Sequence, residues 1–245
     1  MSMLTLVVPG SGNDFADLGV GYLGELDLPF QAVGAYLLGG RNGTQLKDQS
    51  GSGRDLTVVG APTITGNYAT CTQANCFAMP LSGDQLSALS ASGFTFAAVA
   101  RSASTASSMA VSNFAGTARS SSLGLLTDGE ASMINQPNGT TSKLATAAAR
   151  GSRFSLYVGT QTPTAEKVFA RRSGSSLESA ATSHASGAIG GVNAIRIGGH
   201  YVTTSILDPI DIAFAAAFPF TFAAADADAL YASLNAYFTG IGMPF

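Results

Sequence analysis

Asp48-Gln49-Ser50-Gly51-Ser52-Gly53-Arg54-Asp55-Leu56-Thr57-Val58-Val59-Gly60-Ala61-Pro62 packs a turn, a strand and a second turn into fifteen residues. Gly51 and Gly53 supply backbone that can take positive φ or approach its neighbours closely, and the Asp48 and Ser50 side chains can accept from nearby backbone N–H groups. The loop therefore folds on itself. Leu56–Val59 is a short, β-branched apolar run closed by Gly60 and by Pro62, which cannot donate to a ladder. Upstream lies Ala35-Tyr36-Leu37-Leu38, and downstream Phe94-Thr95-Phe96-Ala97-Ala98-Val99-Ala100-Arg101.

Working outward, the same punctuation recurs. Short apolar or alternating runs separated by Gly, Asn, Ser and Pro predict strands at 35–38, 56–59, 64–68, 76–79, 94–101, 109–114, 122–126, 131–134, 153–159, 166–170, 194–198 and 210–218. No helix alternates with these runs, which excludes the crossover architectures that need one after nearly every strand. The expected class is an all-β antiparallel sandwich.

Helical signal is confined to two places. Leu230, Leu234, Tyr237 and Phe238 recur at helical spacing behind Asp226 and Asp228, which suit a helix N-terminus. This predicts a short C-terminal amphipathic helix lying on the sandwich and stopped by Gly240 and Pro244. Residues 83–89 predict a single turn with Leu86 and Leu89 inward. At the other end, residues 1–34 read as an arm and 35–245 as the sandwich domain. Phe15, Leu18, Val20, Tyr22, Leu23, Leu26, Leu28 and Phe30 are too many apolar side chains for a solvated tail, so the arm is expected on the body or on a partner.

A chain of 245 residues can bury one substantial core. Only 11% of residues are charged, against 46% hydrophobic, so the surface must be built from Ser, Thr, Asn, Gln and backbone. Depleted charge suits a surface that meets neighbours. The net charge of −3, with scattered Lys and Arg, gives no footprint for nucleic acid, and Arg171-Arg172 reads as a solvated turn. The N-terminus lacks the basic flank and apolar core of a secretory signal, and no apolar run reaches membrane-spanning length. Cys71 and Cys76, with four residues between them, are too few for structural zinc. They are either ordinary thiols or a local disulfide across a hairpin tip.

Taken in order, the segments of residues 35 to 240 resemble the laminin-G-like and concanavalin A-like lectin and glucanase jelly-roll superfamily, of the kind found in tailed-phage virion proteins. The resemblance rests on the Asp-x-Ser-Gly-x-Gly-Arg-Asp-Leu turn and strand, on Phe94–Arg101, and on Arg153–Gly159 followed by Glu166–Ala170. It is completed by Ala194–Gly199, Asp211–Phe218 and the terminal helix ending in Leu234–Phe238. The superfamily hosts several functions, so the site must decide among them.

The chemical readings thin out quickly. A retaining glucanase needs two carboxyl groups about 5 Å apart, but the four glutamates, Glu25, Glu130, Glu166 and Glu178, are isolated, and Asp128-Gly129-Glu130 reads as a hairpin tip. Gly-x-Ser-x-Gly is absent, and the two histidines, His184 and His200, read as surface or hydrogen-bonded residues. Neither Gly-x-x-x-x-Gly-Lys-[Ser/Thr] nor a Gly-x-Gly-x-x-Gly between a strand and a helix occurs. For calcium the best candidates are Asp48, Asp55, Asp208 and Asp211. Their simpler roles are turn bonding for Asp48 and Asp208 and solvation for Asp55 and Asp211. For sugar stacking the chain offers no Trp, only Tyr68, Tyr201 or Tyr22, each equally readable as a packed residue. Asn42-Gly43-Thr44 and Asn138-Gly139-Thr140 read as hairpin turns.

The expectation is thus a non-enzyme with no catalytic, cofactor or metal residues. Its first reading is a virion structural protein, a capsid-decorating, tail or fibre-associated subunit made in the host cytoplasm. Residues 1–30 and a sandwich face would bury interfaces of roughly 1,600 Å² against other virion proteins. Homo-oligomers, trimers among them, fit that role; nucleic acid and membrane do not. The alternative is a carbohydrate-binding module for host-surface glycan, with loops 48–55 and 208–211 as its rim.

Overall fold

The computed structural model describes residues 26–39, 46–90, 92–103, 106–116, 119–126, 130–136, 140–145, 153–183, 188–204, 206 and 208–245. Among the described residues the first strand is β1 (Gly34–Leu37), followed by β2 (Thr57–Val59), β3 (Thr63–Ile64), β4 (Ala69–Cys71) and β5 (Cys76–Ser82). A one-turn helix α1 (Gly83–Ala88) leads to β6 (Phe94–Arg101), β7 (Ser108–Ser112), β8 (Ser120–Leu125), β9 (Glu130–Gln136) and β10 (Thr140–Ala145). Then come β11 (Ser155–Gln161), β12 (Ala165–Arg171), β13 (Glu178–Ser183), β14 (Ala194–Ile197), β15 (Ile210–Phe218) and helix α2 (Ala224–Gly240).

These form two stacked antiparallel sheets. The eight-stranded sheet runs β13-β12-β11-β6-β15-β4-β3, with β1 also paired to β15, and the seven-stranded sheet runs β10-β9-β8-β7-β14-β5-β2. The fold is the expected all-β jelly-roll sandwich with one C-terminal helix.

Two apolar layers hold it. Between the sheets lie Tyr36, Phe77, Met79, Phe94, Phe96, Val111, Ile197 and Ile212 among others. A second layer covers the outer face of the eight-stranded sheet, where Phe169, Phe214 and Phe218 meet Leu230, Leu234 and Phe238 of α2. Central strands β6, β11 and β15 are therefore buried on both faces, which is why they read as near-continuous apolar runs instead of alternating ones. Leu26, Leu28 and Phe30 pack into this second layer, so the described end of the arm docks on its own body. The rest of the arm, including Phe15, Leu18, Val20, Tyr22 and Leu23, lies outside the described residues.

Helix α2 starts at Ala224, two residues ahead of the first acidic side chain. Ala223 has no side-chain oxygen to cap it, and the Asp226 carboxylate instead accepts from the Ala223 N–H at 2.7 Å. Its buried face holds Ala227, Leu230, Tyr231, Leu234 and Phe238, so Tyr231 takes the place expected of the only partly buried Tyr237. In α1, Leu86 is buried as expected, while Leu89 is 51% exposed because the helix has ended before it.

Other differences have local causes. The single strand expected at 64–68 is instead the end of β3 and a turn, and β4 begins only at Ala69. Gly66 and Asn67 interrupt the run, and the Thr65 hydroxyl both donates to the Tyr68 carbonyl and accepts its N–H. Three strands escaped the sequence reading: the short β4, and β10 and β13, the edges of their sheets, whose Thr, Ser and Ala leave little apolar contrast. Arg171 ends β12 rather than lying in a solvated turn: it pairs with Asp228 and stacks 4.2 Å over the Tyr231 ring of α2.

Cys71 and Cys76 are both free and fully buried. The segment between them is not a hairpin tip within one sheet but an arch joining β4 of one sheet to β5 of the other. Thr72 and Asn75 exchange N–H···O bonds of 2.8 and 3.1 Å across it. The thiols pack on Gly198 and Gly199, where an added Cβ would stand 2.1 Å from the Cys71 Cβ and 2.7 Å from the Cys76 Sγ. Burial, and then the proximity of Cys76, pushes the Cys71 thiol far above its ordinary pKa, so it stays protonated.

Candidate binding cleft

The two loops expected to form one rim stand apart. Asp48 accepts the N–H groups of Ala35 at 3.1 Å, Ser50 at 2.9 Å and Arg54 at 3.1 Å, so its carboxylate is the hub of the turn that Gly51 and Gly53 close with φ of 77° and 70°. Burial pushes this carboxyl up, but the hydrogen bonds from Ser50, Arg54 and Ala35 outweigh it and hold its pKa below the usual carboxylate range. Asp55 accepts from Lys47 and from the Asp48 N–H, and its pKa is lowered chiefly by Lys47. Ala35 pairs with Ala216, five positions along β15 from Asp211. At strand rise that is about 16 Å, so loops 48–55 and 208–211 line no common rim.

Asp211 is not a solvated surface residue. It accepts from Arg101 Nε at 2.9 Å and from the Thr70 hydroxyl at 2.6 Å, and both members of the ion pair are about three-quarters withdrawn from water. Asp208 carries no side-chain hydrogen bond among the described residues, so the turn bonding expected of it is absent. Among the described residues no three His, Cys, Asp or Glu side chains are placed to hold a metal ion. Glu130 opens β9, while Asp128 and His184, with both Asn-Gly turns, lie outside the described residues.

His200 is 1% exposed and so belongs to the interior, not the surface. Its Nδ1 accepts the Val202 N–H at 3.1 Å, which leaves Nε2 as the donor to the Ile206 carbonyl at 2.8 Å. It ties a loop down rather than activating a nucleophile. Burial lowers its pKa, with the Arg196 charge adding to the effect against the bond to Ile206. Tyr201 is packed too: Arg196 stacks 3.9 Å over its ring and its hydroxyl donates to the Ala194 carbonyl at 3.0 Å.

Tyr68 leads to a different place. The Arg101 guanidinium lies 4.9 Å from the Tyr68 ring centre and 4.6 Å from that of Phe154, and the two rings are 5.4 Å apart. Tyr68 is thus a packed residue, and Phe154 beyond it forms one wall of an open cleft of about 370 Å³. The cleft is lined by Arg153 and Phe154 just before β11, Arg172 and Ser173 just after β12, and Pro244 and Phe245 beyond α2.

Antiparallel pairing puts these segments together, since Leu156 lies opposite Arg171. The α2 tail is pinned across the same end: the Phe245 ring meets Tyr231 and Phe238 at 5.5 Å each, and the Tyr231 hydroxyl donates to the Phe245 carbonyl at 3.2 Å. Arg172 is held by a tight turn in which Ser175 bonds its backbone N–H at 3.1 Å and its carbonyl at 3.0 Å. Arg153 is exposed and, among the described residues, makes no hydrogen bond or ion pair.

Sequence reasoning did not find this cleft. Arg153 and Phe154 had been absorbed into a strand, Arg172 into a basic pair, and Pro244 into a helix stop. The available signal was Arg171-Arg172 itself, because neighbours at a strand end point to opposite sides and cannot both serve α2.

The fold is a jelly-roll β-sandwich with an arginine-flanked pocket at one end of the eight-stranded sheet. No family profile matches the sequence, and no curated protein sequence matches it. Among solved structures it is similar to the binding domain of botulinum neurotoxin DC in complex with SialylT, at 10% identity and TM-score 0.60, over 88% of this chain and 52% of that one. It is similar too to the receptor-binding domain of the botulinum neurotoxin C/D mosaic serotype, at 13% identity and TM-score 0.57, over 80% and 49% of the two chains. A Trypanosoma rangeli sialidase in complex with 2,3-difluorosialic acid matches at 14% identity and TM-score 0.56, over 85% of this chain and 34% of that one. The chain thus spans about half the length of the neurotoxin domains and a third of the sialidase. At such identities the likeness establishes the fold.

Proposed function

We propose that this chain is a carbohydrate-binding module whose ligand enters the Arg153 cleft. The observation that carries the reading is the cleft's composition: an exposed guanidinium with no partner among the described residues, beside an aromatic wall fixed from behind by Arg101 and Asp211. Sugar sites combine a rigid apolar surface with a few polar groups that set orientation, and clefts of this size suit a small ligand. Two similar structures, a neurotoxin binding domain held with SialylT and a sialidase held with difluorosialic acid, add support from their own ligands. Binding, not turnover, is the chemistry on offer, because the cleft lining carries no carboxylate side chain to act as acid or nucleophile.

A panel of immobilised glycans probed with the full chain tests this. Selective capture of a defined sugar set, lost in Arg153→Ala, supports the module; capture of none retires it.

A structural subunit of a phage-like particle is a second reading, favoured by the 11% charge and by Val58 and Ile64, exposed on the edge strands β2 and β3. Leu26, Leu28 and Phe30 are spent on the body, so a sandwich edge would do the docking. Native mass measurement separates the two: a symmetric oligomer that Val58→Lys breaks favours the subunit, and a monomer at all concentrations removes it.

A further inference from the structure

Resting on the glycan-binding reading, we infer that the ligand carries a carboxylate, as sialic and uronic acids do, and that Arg153 is the residue that receives it. The argument is one of local charge. The two aspartates behind the cleft already have their cations: Asp211 is held by Arg101 with help from Thr70, and Asp228 by Arg171. Arg153 is left over, exposed and without an ionic partner among the described residues, while Arg172, which also lines the cleft, has interactions of its own. The cleft's lining side chains therefore include no acid, and Arg153 stands exposed among them in a chain of net charge −3.

A guanidinium offers donors only, in a planar fork that matches a carboxylate with two parallel hydrogen bonds. A neutral hexose, whose hydroxyls donate and accept, gains far less from such a group. The remaining lining is narrow: Phe154 and Phe245 are only 5% and 2% exposed, so apolar contact falls to their edges and to Pro244, and the Ser173 hydroxyl can both donate and accept. The volume, about 370 Å³, takes a terminal sugar rather than a long polysaccharide. Two arginines at one pocket are also too local for nucleic acid, which needs cations along a track.

Titration calorimetry of the full chain with sialyllactose, a glucuronate-terminated disaccharide, sulfated lactose and lactose tests the assignment. Sialyllactose and the glucuronate sugar are expected to bind at least about tenfold more tightly than lactose, with the preference shrinking as salt rises. Arg153→Gln should abolish that preference and Arg153→Lys restore part of it, while both variants melt within about 1 °C of the parent. Equal binding of lactose and sialyllactose, weakened alike by Arg153→Gln, overturns the carboxylate assignment and leaves the glycan-binding reading standing. Tight binding of sulfated lactose alone also overturns it, in favour of a sulfate ester. Binding of none of the four overturns both.

Discussion

The Asp48 turn and the Arg153 cleft handle charge in opposite ways. In the turn one carboxylate collects three backbone N–H groups, while Tyr36 donates to the Arg54 carbonyl at 2.7 Å and Arg54 to that of Val33 at 2.9 Å. Every polar group there is spent on the chain itself. At the cleft, the Arg101–Asp211 and Arg171–Asp228 pairs are equally self-contained, but Arg153 is left facing water. A polar group bonded within its own loop holds the fold, whereas one left open is available to something else. The most motif-like stretch of the sequence is therefore structural, and the functional candidate lies where no motif marks it.

The largest test of that contrast removes the hub. Asp48→Ala strands three backbone donors and should cost about 2–4 kcal/mol of unfolding free energy, read from the urea midpoint. Sugar affinity per folded molecule should stay unchanged, and calcium should raise the melting point of neither parent nor variant. If calcium stabilises the parent alone, the turn is a metal site after all.

Arg101→Met attacks the cleft from behind. It leaves the half-buried Asp211 without its cation and Phe154 without its stacked guanidinium, and a loss of about 1–3 kcal/mol is expected in the same assay. Because Phe154 would be less firmly placed, affinity should fall by about threefold, less than for Arg153→Ala. Equal losses in both variants would mean that the wall matters as much as the charge.

Two pH experiments give smaller effects. The Asp48 pKa is depressed in the fold, so its contribution is complete above the unfolded carboxylate value near 4 and disappears as pH falls through the lower folded value. Asp48→Asn should flatten that acid limb of the stability curve. His200 is likewise depressed, so folding favours its neutral form: stability is full above the unfolded value near 6.5 and declines as pH drops below it. His200→Gln should remove this shallow decline. A melting point that rises on acidification through pH 6 would contradict the geometry of the Val202 and Ile206 bonds.

Much of the fold was legible because burial writes itself into sequence. Strands β6 and β15 announced themselves as unbroken apolar runs, and the Leu230, Leu234 and Phe238 spacing announced α2. Strands β10 and β13 did not, since an edge strand of Thr, Ser and Ala has nothing on one face to contrast with the other. Leu89 misled because hydrophobicity alone does not tell where a helix stops. The cleft was illegible for a further reason. It joins residues near positions 153, 172 and 245, which are adjacent only after β11, β12 and α2 have packed, and each of its side chains has an ordinary role in its own neighbourhood. The Asp48–Asp211 rim failed for the complementary reason, that both ends of a strand can look alike in sequence.

At its centre the eight-stranded sheet is wet on neither side, with the second sheet against one face and α2 and residues 26–30 against the other. Its central strands consequently have no side chains left over for recognition, and any ligand must be met at the strand ends. Specificity and folding are thereby written in separate parts of the chain. Descendants of this sequence could exchange one sugar for another by editing a handful of terminal positions while the inner layer is inherited whole.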